Sequence, residues 1–177
     1  MTPDDAPTRP DRDALLRALA DASVRFIVIG GAALETHAQP HRTLDVDITP
    51  ATEDENLERL AEALNGLGCE LVTDVDDPTS WVALPPEYFT AATLRRATVW
   101  NLHTAHGALD VTFAPTGFPH GYDDLEANAR PLLVAGTTIT VAVAALDDVE
   151  HSKRLADRPK DRDYFERVGR ARGADST

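Results

Sequence analysis

The chain has 177 residues, 42% hydrophobic and 6% aromatic, enough for one domain with a buried core. No run reaches the roughly 18 apolar residues of a membrane span, and the acidic, proline-rich start "MTPDDAPTRPDRD" lacks the apolar segment of a signal peptide, so a cytoplasmic protein is expected. The net charge of −13 argues against a broad nucleic-acid footprint, and a single cysteine, Cys69, excludes an intrachain disulfide and speaks against a Cys-based metal site.

The charge is uneven. Residues 1–150 hold 9 Lys/Arg against 25 Asp/Glu, while residues 151–177 hold 8 against 5. Such a basic tail suits either an anionic substrate met at one place or a solvated helix surface.

Residues 1–10 read as disordered. "DRDALLRALADAS" sets Leu15, Leu16, Leu19 and Ala22 on one face and predicts a helix over 11–22. "RFIVIGG" is a short buried strand closing on a tight turn, and "AALETHA" a short helix. "TLDVDIT" alternates strictly, which predicts a strand with Leu44, Val46 and Ile48 facing the core and Asp45 and Asp47 on the opposite side. "TEDENLERLAEALNGLG" is the clearest helix. Thr52 and Glu55 suggest a capping box, Leu57, Leu60, Ala61, Leu64 and Leu67 form its stripe, and Gly66 and Gly68 end it.

"CELVTDV" reads as a third strand. Positions 76–96 are irregular, with a helical turn inside "PPEYFTAATL". "ATVWNLHTAHGALDVTFAP" predicts a hairpin around His106-Gly107, with Leu109, Val111 and Phe113 inward and Asp110 outward. "YDDLEANA" reads as a short helix, and "LLVAGTTITVAVA" as a strand pair or one bent strand. "LDDVEHSKRLADRPKDRDYFERVGRA" predicts two helices broken at Pro159. Residues 11–172 thus form a single domain, helical from about 145, ahead of a disordered tail at 173–177. The class is α/β (α+β), with a mixed central sheet flanked by helices and C-terminal helices.

Asp45, Asp47 and Asp110 carry the chemistry of this pattern. A lone Asp-x-Asp is ordinarily the wet face of a strand, and a Gly-Gly after a strand is ordinarily a plain turn. If the two acid strands are neighbours, however, three carboxylates converge on one patch. They repel unless a cation lies among them, and hard oxygen ligands suit Mg²⁺ beside a phosphorylated substrate. A turn at Gly30-Gly31, closing a strand and opening a helix, turns backbone N–H groups toward an anion.

The run "GGAALETHAQPHRTLDVDI" resembles the signature of the nucleotidyltransferase superfamily with the DNA polymerase β-like fold. It is more closely similar to the bacterial AbiEii-like group, which includes the MenT-type toxins, through Gly30, Gly31, His37, Arg42, Asp45 and Asp47. "SKRLADRPKDRDYF" is similar to that group's C-terminal motif, with Lys153, Ala156, Arg158, Lys160 and Asp161 in place. Ala38 stands where a glycine is common, and Asp163 comes one position early, leaving Tyr164 where an acid is usual.

The resemblance implies a Mg²⁺-dependent enzyme that transfers an NMP group from an NTP such as ATP. Asp45 and Asp47 would ligate the metal, and Asp110 would be the third ligand or the base for the incoming hydroxyl. Gly30 and Gly31 would cradle the triphosphate, with Arg42 and Thr43 touching phosphate and Lys153 neutralising its charge. It also implies an RNA acceptor, such as a tRNA 3′ end, and an antitoxin partner. The acidic body suits instead an aminoglycoside-like small molecule or a partner protein, and a non-catalytic nucleotide-binding module is the remaining alternative.

Other groups fit less well. His103 and His106 are poorly spaced for zinc, and adjacent His151 and Ser152 on a helix do not face each other. His37, Trp81 and Trp100 read as packing residues.

Overall fold

In the computed structural model, which describes residues 10–174 other than positions 40, 42 and 75, the apolar run Phe26–Ile29 forms β1, buried along its whole length. The ends expected to be disordered fall largely outside the described residues. Pro10 lies against Gly107, and the last helix runs to Ala174.

The amphipathic helix α1 (Arg12–Asp21) precedes β1 and buries Leu15, Leu16 and Leu19; the Asp11 side chain accepts the Ala14 N–H at its start. Helix α2 (Gly30–Thr36) begins at the first glycine itself. Strand β2 (Asp45–Pro50) and helix α3 (Asp54–Gly66) follow. The short strands β3 (Glu70–Leu71) and β4 (Val82–Ala83) flank a 3₁₀ turn at Pro78–Ser80. Helix α4 (Ala91–Leu94) leads to the hairpin β5 (Val99–Thr104) and β6 (Gly107–Thr112). Then come α5 (Tyr122–Glu126), the pair β7 (Arg130–Leu133) and β8 (Thr140–Val143), and the helices α6 (Leu146–Ala156) and α7 (Pro159–Ala174).

The sheet is mixed, as expected, with strand order β4-β3-β5-β6-β2-β1-β8-β7. Pairs β2/β6 and β1/β8 are parallel and the others antiparallel. Val46, Ile48, Leu109 and Val111 are buried in the core that also takes the α1 and α3 stripes, so the carboxylates leave the opposite face. Pro159 opens α7 as its first residue, where a missing N–H costs nothing.

Four local readings need correction. Thr52 and Glu55 form no capping box. Glu53 is the N-cap, without a side-chain cap, and bonds Arg25 at 2.8 Å. Buried Asn56 ties down that helix start, accepting the Arg25 N–H at 2.7 Å and donating to the Ala51 carbonyl at 2.8 Å. A capping box is found at Thr90 and Thr93 instead. Leu44 is 45% exposed, because strand pairing starts only at Asp45. The third strand shrinks to two residues. The hairpin loop is Ala105-His106, with Gly107 already paired to Thr104.

Candidate active site

Strand periodicity puts Asp45 and Asp47 on one face, and the parallel register sets Asp47 opposite Asp110 and Asp45 opposite Ala108. Ligand oxygens of all three acids lie within 4.8 Å of one another, so the expected convergence is present. Burial pushes Asp47 up to about 7, helped by repulsion from Asp45 and Asp110 and opposed by Lys160 and the Gly31 N–H. Asp110 rises to about 6, from burial first and then Asp45, again opposed by Lys160. Such a cluster holds its protons up to near-neutral pH, and the repulsion that follows their loss is what a divalent cation would relieve.

The glycine pair is explained by close approach. Gly30 has φ +60°, and a Cβ there would run into the Asp47 carboxylate. A Cβ on Gly31 would lie 2.6 Å from the Thr43 hydroxyl and 2.7 Å from His41 Nε2. Gly30 therefore makes room for the acid strand, and Gly31 for the segment that leads into it. Thr43, 8% exposed, donates its hydroxyl to Asp45. Arg42 lies outside the described residues.

Lys153 is buried on α6, with its ammonium 2.8 Å from Asp161 of α7 and over the Tyr164 ring. Arg158 Nε meets the other Asp161 oxygen at 2.7 Å. Burial opposes ionisation of Asp161, yet the Arg158 and Lys153 bonds hold it below the usual carboxylate range. Tyr164 is wholly buried and donates to Glu150 at 3.2 Å. These contacts lock α6 to α7, and Lys153 and Arg158 border the acids' cleft.

That cleft has about 300 Å³ and is lined by Gly30, Asp47, Asp110, Asn101, Ser152, Lys153 and Arg158, among others. Asn101 was missed from sequence. The two-residue loop sets it opposite Asp110, whereas a turn centred on His106-Gly107 would have placed His103 there. Lys160, named only as part of the tail motif, is the cation whose field reaches both Asp47 and Asp110.

The remaining candidates lie elsewhere. His37 Nε2 bonds the Ala144 carbonyl at 2.8 Å, fastening α2 to the end of β8. His103 stacks on Trp81, with centroids 4.6 Å apart, and sits 3.5 Å from Glu70. Trp100 is buried and donates to the Leu94 carbonyl at 3.1 Å. Among the described residues, the three aspartates are the grouping able to hold a metal ion, and no helix is long and apolar enough to cross a membrane.

No known family model matches the sequence, and no curated protein matches it. Among solved structures, the chain is similar to the antibiotic-resistance factor ANT(2'')-Ia at 13% identity and a TM-score of 0.46, over 92% of this chain and 93% of that one. It is also similar to JHP933 from Helicobacter pylori at 14% identity and a TM-score of 0.35, over 82% of this chain and 57% of that one. At this distance a functional reading rests on the chemistry of the site.

Proposed function

We propose that the protein is a Mg²⁺-dependent nucleotidyltransferase of the polymerase β-like superfamily, moving an NMP group from an NTP to a hydroxyl acceptor. The observation that carries this reading is the face-to-face register of Asp47 and Asp110, with Asp45 within 4.8 Å, at a cleft bordered by Lys153. Three hard oxygen donors fit Mg²⁺, and the elevated Asp47 and Asp110 values are what a cation would relieve. When bound, Mg²⁺ neutralises charge on the phosphate oxygens.

Asp45 and Asp47 would hold the ion, and Asp110 would be its third ligand or take the acceptor's proton. The acceptor oxygen attacks the α-phosphorus, the bond to the bridging α–β oxygen breaks, and pyrophosphate leaves with that electron pair. The Gly30 turn keeps this floor free of side chains. Lys153 and Arg158 around Asp161 leave a net positive charge at the cleft wall, where it supports binding of the triphosphate.

Resemblance to AbiEii-like and MenT-type proteins supports a tRNA 3′ end as acceptor, within a toxin-antitoxin pair. The net charge of −13 and the small cleft support a compact hydroxyl compound, aminoglycoside-like, instead. Incubation with each α-labelled NTP, Mg²⁺ and either total tRNA or an aminoglycoside panel tests this. Label on RNA supports the toxin-like enzyme, label on the small molecule a resistance-type enzyme, and label on protein a protein modifier. Absence of pyrophosphate release with every NTP and acceptor refutes the transferase and leaves a nucleotide-binding module.

A further inference from the structure

The acids are not held alike. Asp47 packs against the Gly30 turn, whereas Asp45 accepts the hydroxyl of Thr43. A threonine hydroxyl has one proton, and an ionised carboxylate can only accept, so Thr43 is the donor and its proton is committed to Asp45. That leaves Thr43 nothing to donate to a phosphate.

Thr43 is itself gripped by one face of α2. Its backbone N–H donates to Glu35 Oε1 at 3.0 Å, and its hydroxyl lies in the space that the missing Gly31 Cβ leaves. Gly31 and Glu35 are four residues apart, so both lie on the same side of that helix. With Thr43 only 8% exposed, its rotamer is fixed by packing as well as by bonds. Glu35, Thr43 and Asp45 also line one common cavity of about 240 Å³.

We propose that Thr43 and Glu35 are positioning residues: Glu35 fixes the Thr43 backbone, and the Thr43 hydroxyl fixes the Asp45 carboxylate for the divalent cation. This rests on the reading of the three acids as a metal site, and it gives Thr43 a task other than phosphate contact. Groups that orient a metal ligand commonly change metal affinity by roughly 10–100-fold when removed.

The test is calorimetric titration of Mn²⁺ into the purified chain at pH 8. Thr43→Val, which keeps the shape and loses the hydroxyl, is expected to weaken Mn²⁺ binding by about 10–100-fold. Thr43→Ser restores most of the affinity. Glu35→Ala weakens binding, whereas Glu35→Gln, which keeps an oxygen for the Thr43 N–H, weakens it less. If Thr43→Val fails to fold, the Glu35→Ala and Glu35→Gln pair decides the question. Wild-type affinity in Thr43→Val or in Glu35→Ala, alongside loss of binding in Asp45→Asn, overturns the positioning role and leaves the metal site standing. Wild-type affinity in Asp45→Asn overturns both.

Discussion

Asp47 of β2 and Asp110 of β6 are direct register partners in a parallel ladder, so their side chains leave the same face of the sheet side by side. Two carboxylates so placed, half-buried and joined by Asp45, disfavour the metal-free, ionised protein. Asp47→Asn removes one charge while keeping the shape. It is expected to abolish nucleotidyl transfer while stabilising the metal-free chain at pH 8 by about 1–3 kcal/mol, a fraction of what a rise to about 7 represents in full. Urea denaturation in EDTA measures the second effect. An unchanged or lowered midpoint would contradict it.

The same pair sets a pH dependence. Folded Asp47 and Asp110 hold protons up to about 7 and about 6, while in the unfolded chain both release them near 3.8. Between those limits the folded state binds more protons, so metal-free stability falls as pH rises from about 4 to 7 and levels off above. His41 acts in the opposite sense, its value lowered by burial and by Lys153 and Arg167. The difference between wild type and Asp47→Asn therefore isolates the carboxylate contribution. That difference is expected to grow across the window in EDTA and to shrink or reverse in saturating Mg²⁺. A difference independent of pH would refute it.

Gly30→Ala meets two obstacles at once, a left-handed backbone at φ +60° and the Asp47 carboxylate. The backbone alone costs about 1–2 kcal/mol. Displacement of Asp47 is expected to lower transfer by roughly 100-fold or more, as small misplacements of reacting groups do. Comparison of kcat with the thermal midpoint separates the two effects. Full activity in a destabilised variant would show that the turn serves folding alone.

Lys153→Met leaves Asp161, 1% exposed at its side chain, with Arg158 as its remaining cation. Breaking a buried pair in this way destabilises by roughly 3–5 kcal/mol, and the half-exposed Arg158 brings the expected loss to the lower end. The double variant Lys153→Met with Asp161→Asn recovers part of it. A change in activity that persists in the double variant, once its fold is restored, marks a contribution of the ammonium to substrate charge. Equal stability of the single variant and wild type would contradict the structural pairing.

Much of this was legible in the sequence because period-2 alternation in "TLDVDIT" and "ALDVTF" fixes which side chains share a face. The same rule failed at Leu44, where no partner strand enforces the alternation. Capping at Thr52 failed because Glu53 takes the N-cap and a distant residue, Arg25, holds it. The partner of Asp110 depended on a one-residue shift of the hairpin loop, which local turn preferences did not resolve. The glycines were recognised but their cause was not. Their neighbours, Asp47, Thr43 and His41, are brought in by tertiary packing that no local pattern encodes. The tail lysines show the same limit, since only the α6–α7 packing commits Lys153 to Asp161 and brings the charge of Lys160 to bear on Asp47 and Asp110.

Binding of divalent cations at this cluster is the premise of the proposed chemistry. Crystals grown with Mn²⁺ and a non-hydrolysable NTP analogue, measured at the manganese absorption edge, test it directly. The expected result is anomalous density bound by carboxylate oxygens of Asp45, Asp47 and Asp110, with the analogue's phosphates reaching toward the Gly30 turn. Anomalous density bound elsewhere, or an analogue seated away from these three acids, would contradict it.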